Sequence, residues 1–169
     1  MISKISTITI FLFCIALLLS CTQNRNNSGL SINFNHNWEF VKDIDTSINE
    51  AFFQKGNDNL EWEKVSMPHT ANIEPLVISG QQWQGDCFYR KFFDYPDGAE
   101  NKQVSIRFGA AMHEADIYLN GEKITSNSGG YLPFYVELTS HLQKGENCLL
   151  VKLNNQDNPH IPPGKSIQT

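Results

Sequence analysis

The chain has 169 residues, which points to one domain or at most two. Its 13 basic and 18 acidic side chains make it mildly acidic, which argues against a general nucleic-acid surface, since that needs clustered Lys and Arg to displace counterions. Aromatic residues make up 11% of the chain; a substantial core can form, and disorder is expected only near the ends.

The N-terminus reads as a targeting segment. Lys4 supplies a positive start, and residues 8–19 form an apolar run. That run is too short to cross a bilayer yet suits the core of a signal peptide. It ends in Leu18-Leu19-Ser20-Cys21, which resembles a bacterial lipobox: an apolar residue three before the cysteine, a small one directly before it. Residues 1–20 are then a signal peptide, Cys21 is the lipidation site, and residues 21–29 are a polar tether. An ordinary secretory signal with a chance cysteine is the alternative. Thr22, rather than Asp, follows the cysteine. By the sorting habit of such lipoproteins, this implies a lipid anchor in the outer membrane of the cell envelope, facing the periplasm.

From residue 30 onward the pattern is all-β. SINFNHNWEFVK alternates loosely around Ile32, Phe34, Trp38 and Phe40. Residues 43–59 are polar, with a short helix expected near residues 48–54. EWEKVSMPHT offers Trp62 and Val65, then a proline-led turn. CFYRKFFDY is rich in aromatics, which suits a half-buried pleated surface. KQVSIRFGA alternates strictly, with Val104, Ile106 and Phe108 on one face. EADIYLNGEKI does the same with Ala115, Ile117 and Leu119, and Asn120-Gly121 then supplies the two positive-φ residues of a type I′ hairpin turn. YLPFYVELT follows, and NCLLVKL closes the series with a near-continuous apolar run. Strands of this length and spacing predict a β-sandwich or jelly roll over residues 30–155. NNQDNPHIPPGKSIQT has four Pro/Gly breakers and no apolar period, so residues 156–169 read as an exit linker.

The residues show no self-sufficient active site. There is no nucleophile elbow, phosphate loop, CxxC or zinc-type ligand pair, so neither metal nor cofactor is expected. Glu61 and Glu63 flank Trp62 on one short polar edge; they read as a solvated face, since a retaining glycosidase pair needs two carboxyls about 5 Å apart in different electrostatic settings. His69, after Pro68, reads as a hydrogen-bonded structural histidine. Cys87 and Cys148 could form one disulfide in an oxidising compartment or remain two buried thiols, and spacing does not decide. Trp83 lies beside Gln81, Gln82 and Gln84. Aromatic faces with amides are what sugar recognition uses, and for Trp83 with Gln84 sugar binding and core packing both stay open. Phe134 and Tyr135 are expected in the core, with Tyr131 packed beside Phe134 where Gly129-Gly130 allows a tight bend.

Several stretches, in order, resemble one family. VSMPHT, GDCFYRKFF, VSIRFGAAMHEADIYLNGEKI and NSGGYLPFYVELTSHLQKGENCLLVKLNN are similar to the N-terminal domain of glycoside hydrolase family 2, the β-galactosidase, β-glucuronidase and β-mannosidase group. The DNPHIPPGK tail is most similar to the β-galactosidase-type members. The resemblance implies a galactose-binding-like jelly roll, followed in the family by an immunoglobulin-like domain and a TIM barrel. The barrel holds both catalytic glutamates, so no catalytic residue is expected among these residues. The expectation is the non-catalytic first domain of a longer enzyme; a stand-alone carbohydrate-binding lipoprotein and a non-functional fragment are the alternatives. The resemblance further implies that a loop before the Tyr-Arg strand gives a polar side chain to a galactoside. The matching position is Gln84, with Trp83 beside it. A second contact comes from an acidic residue beyond the PPGK segment; Asp157 lies in that approach.

Overall fold

The computed structural model describes residues 29–45, 47–56, 60–71 and 83–161. The expected signal peptide, Cys21, most of the tether, Gln81, Gln82 and the tail from residue 162 lie outside the described residues. The folded unit, Phe34–Thr169, is built from eight described strands: β1 (Trp38–Lys42), β2 (Glu63–Val65), β3 (Asp86–Asp94), β4 (Ser105–Phe108), β5 (Glu114–Leu119), β6 (Glu122–Ser128), β7 (Phe134–Glu137) and β8 (Glu146–Asn154). One short 3₁₀ turn, Glu50–Phe53, stands where a short helix was expected; Asn49 caps it by accepting a hydrogen bond from the Ala51 amide at 2.9 Å.

All strand pairs are antiparallel. Six strands form one sheet in the order β2-β1-β3-β8-β5-β6, and β4 pairs with β7 in a second. The expected sandwich is therefore an unequal one among the described residues. The middle pair runs β3 against β8 from Asp86↔Asn154 to Asp94↔Glu146. Both strands are buried along most of their length, which explains their dense apolar sequences: a strand covered on both faces has no solvent side to make polar. β5, by contrast, alternates cleanly, with Ala115, Ile117 and Leu119 buried. The edges are β2 and β6, whose exposed Glu63, Lys64, Glu122 and Lys123 discourage pairing with another chain.

The six-stranded sheet has a core on each face. On one, Trp38, Tyr89, Ile117, Leu149 and Val151 pack with Val136 and Leu138 and with the half-buried Ile106, Phe108 and Phe134 of the smaller sheet. On the other, Val41, Phe88 and Leu150 pack with Phe52 of the 3₁₀ turn and with Trp62. Arg90 fastens this turn down. Its Nε donates to Glu39 at 2.7 Å, one terminal nitrogen donates to the Phe52 carbonyl at 3.1 Å, and the guanidinium lies 3.9 Å from the Trp62 ring centre.

This layering answers the cysteine question. Cys87 belongs to the first core, while Cys148 lies on the opposite face with its sulfur 3.9 Å from the Phe52 carbonyl. In register Cys87 faces Leu153 and Cys148 faces Phe92. Both are free, since thiols on opposite faces of one sheet cannot meet. Burial pushes each thiol up to about 12.

Two aromatic expectations are corrected. Phe134 does pack, stacked on Phe108 with ring centres 4.9 Å apart. Tyr135, its neighbour on the pleat, points outward and is 69% exposed, and Tyr131 is 48% exposed. Strand alternation puts Phe134 and Val136 inside and leaves Tyr135 with solvent. The glycine bend is borne out at Gly130: a Cβ there would stand 2.9 Å from Met112 Cγ. The Asn120-Gly121 turn has φ of 52° and 92°, as a type I′ turn requires.

Candidate functional site

Two solvated carboxylates and one histidine can be set aside first. Glu61 and Glu63 are both exposed, as a polar edge would be. His69 Nδ1 lies 3.0 Å from the Tyr89 hydroxyl and its ring sits against Phe40, a structural role. Burial, followed by the nearby Cys87 and Glu63, holds the Tyr89 phenol above its ordinary range. Among the described residues no group of three or more His, Cys, Asp or Glu side chains could hold a metal ion.

The remaining candidates gather at one end of the large sheet. There β1 ends, β3 begins, β8 ends and β5 begins, because Lys42 pairs with Cys87, and Asn154 pairs with both Asp86 and Glu114. Trp83 and Gln84 precede β3 and Asp157 follows β8, so the fold brings the three candidates to the same rim.

Trp83 is half-buried and packs against the main core. Its indole N–H donates to Asp43 at 2.8 Å, and the Lys42 ammonium lies 5.0 Å from the ring centre. The ring folds back over Gly85, where a Cβ would sit 3.3 Å from Trp83 Cζ2. The indole is thus held on several sides. Gln84 is the reverse case: its side chain is exposed and has no hydrogen-bond partner among the described residues. Asp157 is likewise exposed.

Asn155 ties these pieces together. Its Oδ1 accepts from the Gly85 amide at 2.7 Å, and its Nδ2 donates to the Trp83 carbonyl at 2.9 Å. Its own amide donates to the Gly85 carbonyl at 3.3 Å. One step back, Asn154 donates to Asp86 at 2.6 Å, and Lys152 pairs with the same carboxylate at 2.7 Å. Beyond it, Asn158 donates to Glu114 at 3.2 Å and Ile161 is buried. Residues 154–161 therefore lie fastened against the rim as a strap, and the described part of the expected linker is held by side chains. His113, next to this strap, donates its amide to the Asn154 carbonyl at 2.9 Å; its buried Nδ1 has no partner among the described residues.

Asp43 and Asn155 escaped the sequence reading. Asp43 lies far from Trp83 in the chain and gives no local signal. Asn155 had one: a pair of asparagines directly after a buried strand, where side-chain amides commonly take over the backbone bonds that the ladder no longer satisfies.

The rim can offer hydrogen bonds from an amide and a carboxylate beside a fixed indole, a surface suited to a hydroxylated ligand. Residues 34–163 match the family model described as "Glycosyl hydrolases family 2, sugar binding domain". A β-glucuronidase of Formosa agariphila is 34% identical over 139 residues, covering 76% of this chain and 14% of that protein. A β-galactosidase of Thermoanaerobacter pseudethanolicus is 29% identical, covering 78% and 18%. Among solved structures, a β-glucuronidase of glycoside hydrolase family 2 superposes with a TM-score of 0.61 at 35% identity, over 76% of this chain and 14% of that one. The Bacteroides uniformis β-glucuronidase gives a TM-score of 0.65 at 27% identity, over 82% and 16%. The chain thus spans less than a fifth of the length of each of these relatives.

Proposed function

Because the chain belongs to the sugar-binding-domain family of the family 2 glycosyl hydrolases, we propose that it is the non-catalytic jelly-roll domain of a retaining β-glycosidase and that its rim forms one wall of a sugar subsite. Gln84 carries this reading. It is an exposed amide with no partner among the described residues, on a loop whose neighbours are all fastened. It donates or accepts a hydrogen bond at a sugar hydroxyl, Trp83 backs the loop, and Asp157 lies on the strap that leaves the same end of the sheet. The greater length of the relatives supports immunoglobulin-like and barrel domains as covalent partners.

Charge favours a neutral sugar at this wall. Asp43, Asp86, Glu114 and Asp157 outnumber Lys42 and Lys152 there, and each lysine is paired with one of those carboxylates, Lys42 with Asp43 and Lys152 with Asp86, so Glu114 and Asp157 leave the wall acidic. A uronate carboxylate would be repelled, which leaves a neutral sugar, and the resemblance of the DNPHIPPGK tail to β-galactosidase-type members makes a β-galactoside the substrate to test. The lipobox-like residues 18–21 support anchoring through Cys21 in the outer membrane; metabolic labelling with a fatty-acid analogue should mark the protein and fail on Cys21→Ala.

The test begins with the DNA downstream of the Thr169 codon, which should encode the two further domains. In that longer protein Gln84→Ala should lower kcat/KM on an aryl β-galactoside roughly tenfold, the loss of one neutral hydrogen bond. An unchanged rate sinks the subsite. A clean stop instead turns attention to sugar binding by the isolated domain.

A further inference from the structure

We propose that Asn155 is a positioning residue for the rim subsite: its amide clamps the backbone on both sides of Gln84 and so sets where the Gln84 side chain points. This rests on the subsite reading above. The Trp83 carbonyl and the Gly85 amide flank Gln84 in sequence, and Asn155 meets both, at 2.9 and 2.7 Å. One needs a donor and the other an acceptor. At neutral pH a primary amide is the short side chain that offers both in one plane. The third bond, from the Asn155 amide to the Gly85 carbonyl at 3.3 Å, holds the clamp itself in register. On the far side of the loop the Trp83 indole is fixed by Asp43 at 2.8 Å. Gln84 is thus left with its own side chain as the main freedom, and less ordering entropy opposes binding there.

The clamp also joins the sugar loop to the strap. Asn155 lies between Asn154, bonded to Asp86, and Asn158, bonded to Glu114. A shift of the strap therefore moves the Trp83 carbonyl and the Gly85 amide together, and Gln84 with them. The strap up to Ile161 and the orientation of Gln84 share one amide.

Asn155→Asp is the informative variant because it is isosteric and its chemistry is switchable. As a carboxylate it has no donor for the Trp83 carbonyl. Once protonated, near pH 4, it has an O–H donor and a carbonyl acceptor again. The mature chain from Cys21 is followed by carbonyl-carbon NMR and by titration with methyl β-galactoside, read at the Trp83 indole N–H. At pH 7 the carboxylate still accepts from the Gly85 amide, and the loss falls on the Trp83 carbonyl: its carbon resonance should move to that of an unbonded carbonyl, and the sugar response should weaken about tenfold. Both should recover towards pH 4, with global stability little changed at either pH. Gln84→Ala should weaken the sugar response and leave the Trp83 carbonyl bonded. A variant that frees the Trp83 carbonyl yet binds sugar normally overturns the positioning role, as does one that changes neither. An unaltered chain that gives no sugar response removes the subsite and the role together, and the Trp83 carbonyl then reports only on loop order.

Discussion

The two ends of β8 are each finished by an asparagine, and they use it differently. Asn147, at the start of the strand, is only 1% exposed. Its oxygen accepts from the Gln143 amide and from Asn120 Nδ2, both at 2.9 Å, and its nitrogen donates to the carbonyls of Gln143 and Gly145 at 2.9 and 3.0 Å. Asn120 passes the bonding on, accepting from the Cys148 amide at 2.9 Å. Asn155, after the other end of β8, makes its bonds at a half-buried rim. The same amide fastens a loop at both ends. Where water cannot replace the lost partners, the amide holds up the fold. Where water can, it mainly holds a shape, and only a rim of that kind can spend its side chains on a ligand.

The largest effect should erase the difference, because each end also keeps one thiol out of water. Cys148 adjoins Asn147 and Cys87 lies at the rim, and burial pushes both up to about 12 from an ordinary 9.0. The unfolded chain releases these protons first. Stability is therefore fully present below about pH 9 and declines as the pH rises from there towards 12. Urea midpoints across this range should fall steeply, and Cys87→Ala with Cys148→Ala should flatten the fall. A flat profile in the unaltered chain would show that the thiols are not held in their neutral form.

Next comes Asn147→Ala, which leaves several buried backbone groups without partners and should cost about 3 kcal/mol. A loss below about 1 kcal/mol would mean that water enters this end too. Glu39→Ala should cost about 2 kcal/mol in the same urea assay. It strips the carboxylate from Arg90, whose side chain is 3% exposed and keeps its bonds to backbone carbonyls and its contact with aromatic rings, while Glu39 itself keeps some contact with water. Gly130→Ala should cost roughly 1–2 kcal/mol, since the new methyl must push Met112 aside.

How much of this could be read in advance follows from how far each interaction reaches along the chain. Alternation in β5 and the Asn-Gly turn are local patterns, and both appear as expected. The apolar runs of β3 and β8 told of strands, though not that a core lies on each of their faces; that depends on the 3₁₀ turn, pinned by Arg90. Tyr135 misled because an aromatic residue in a strand looks like core whichever way the pleat turns it. The cysteine question needed the register of β3 against β8, in which Cys87 meets Leu153 and Cys148 meets Phe92, partners far apart in the chain. The family resemblance brought attention to Gln84. It said nothing of Asn155, whose bonds span 70 and 72 positions.

The smallest stability effect belongs to the residue with the largest assigned role. Gln84→Ala removes an exposed side chain that bonds to no described residue, so the urea midpoint should stay within about 0.5 kcal/mol of the unaltered chain. Asn147→Ala should do the opposite, lowering stability without a separate effect on the sugar response of whatever remains folded. The pair forms a test with crossed outcomes. If Gln84→Ala also destabilises the fold, its side chain has a structural partner, and its exposure no longer argues for a ligand. If it leaves both stability and sugar response untouched, the rim is only the end of a sandwich, like the hairpin end. Silent in stability and costly in binding is the one combination that makes the two ends of β8 different in purpose as well as in burial.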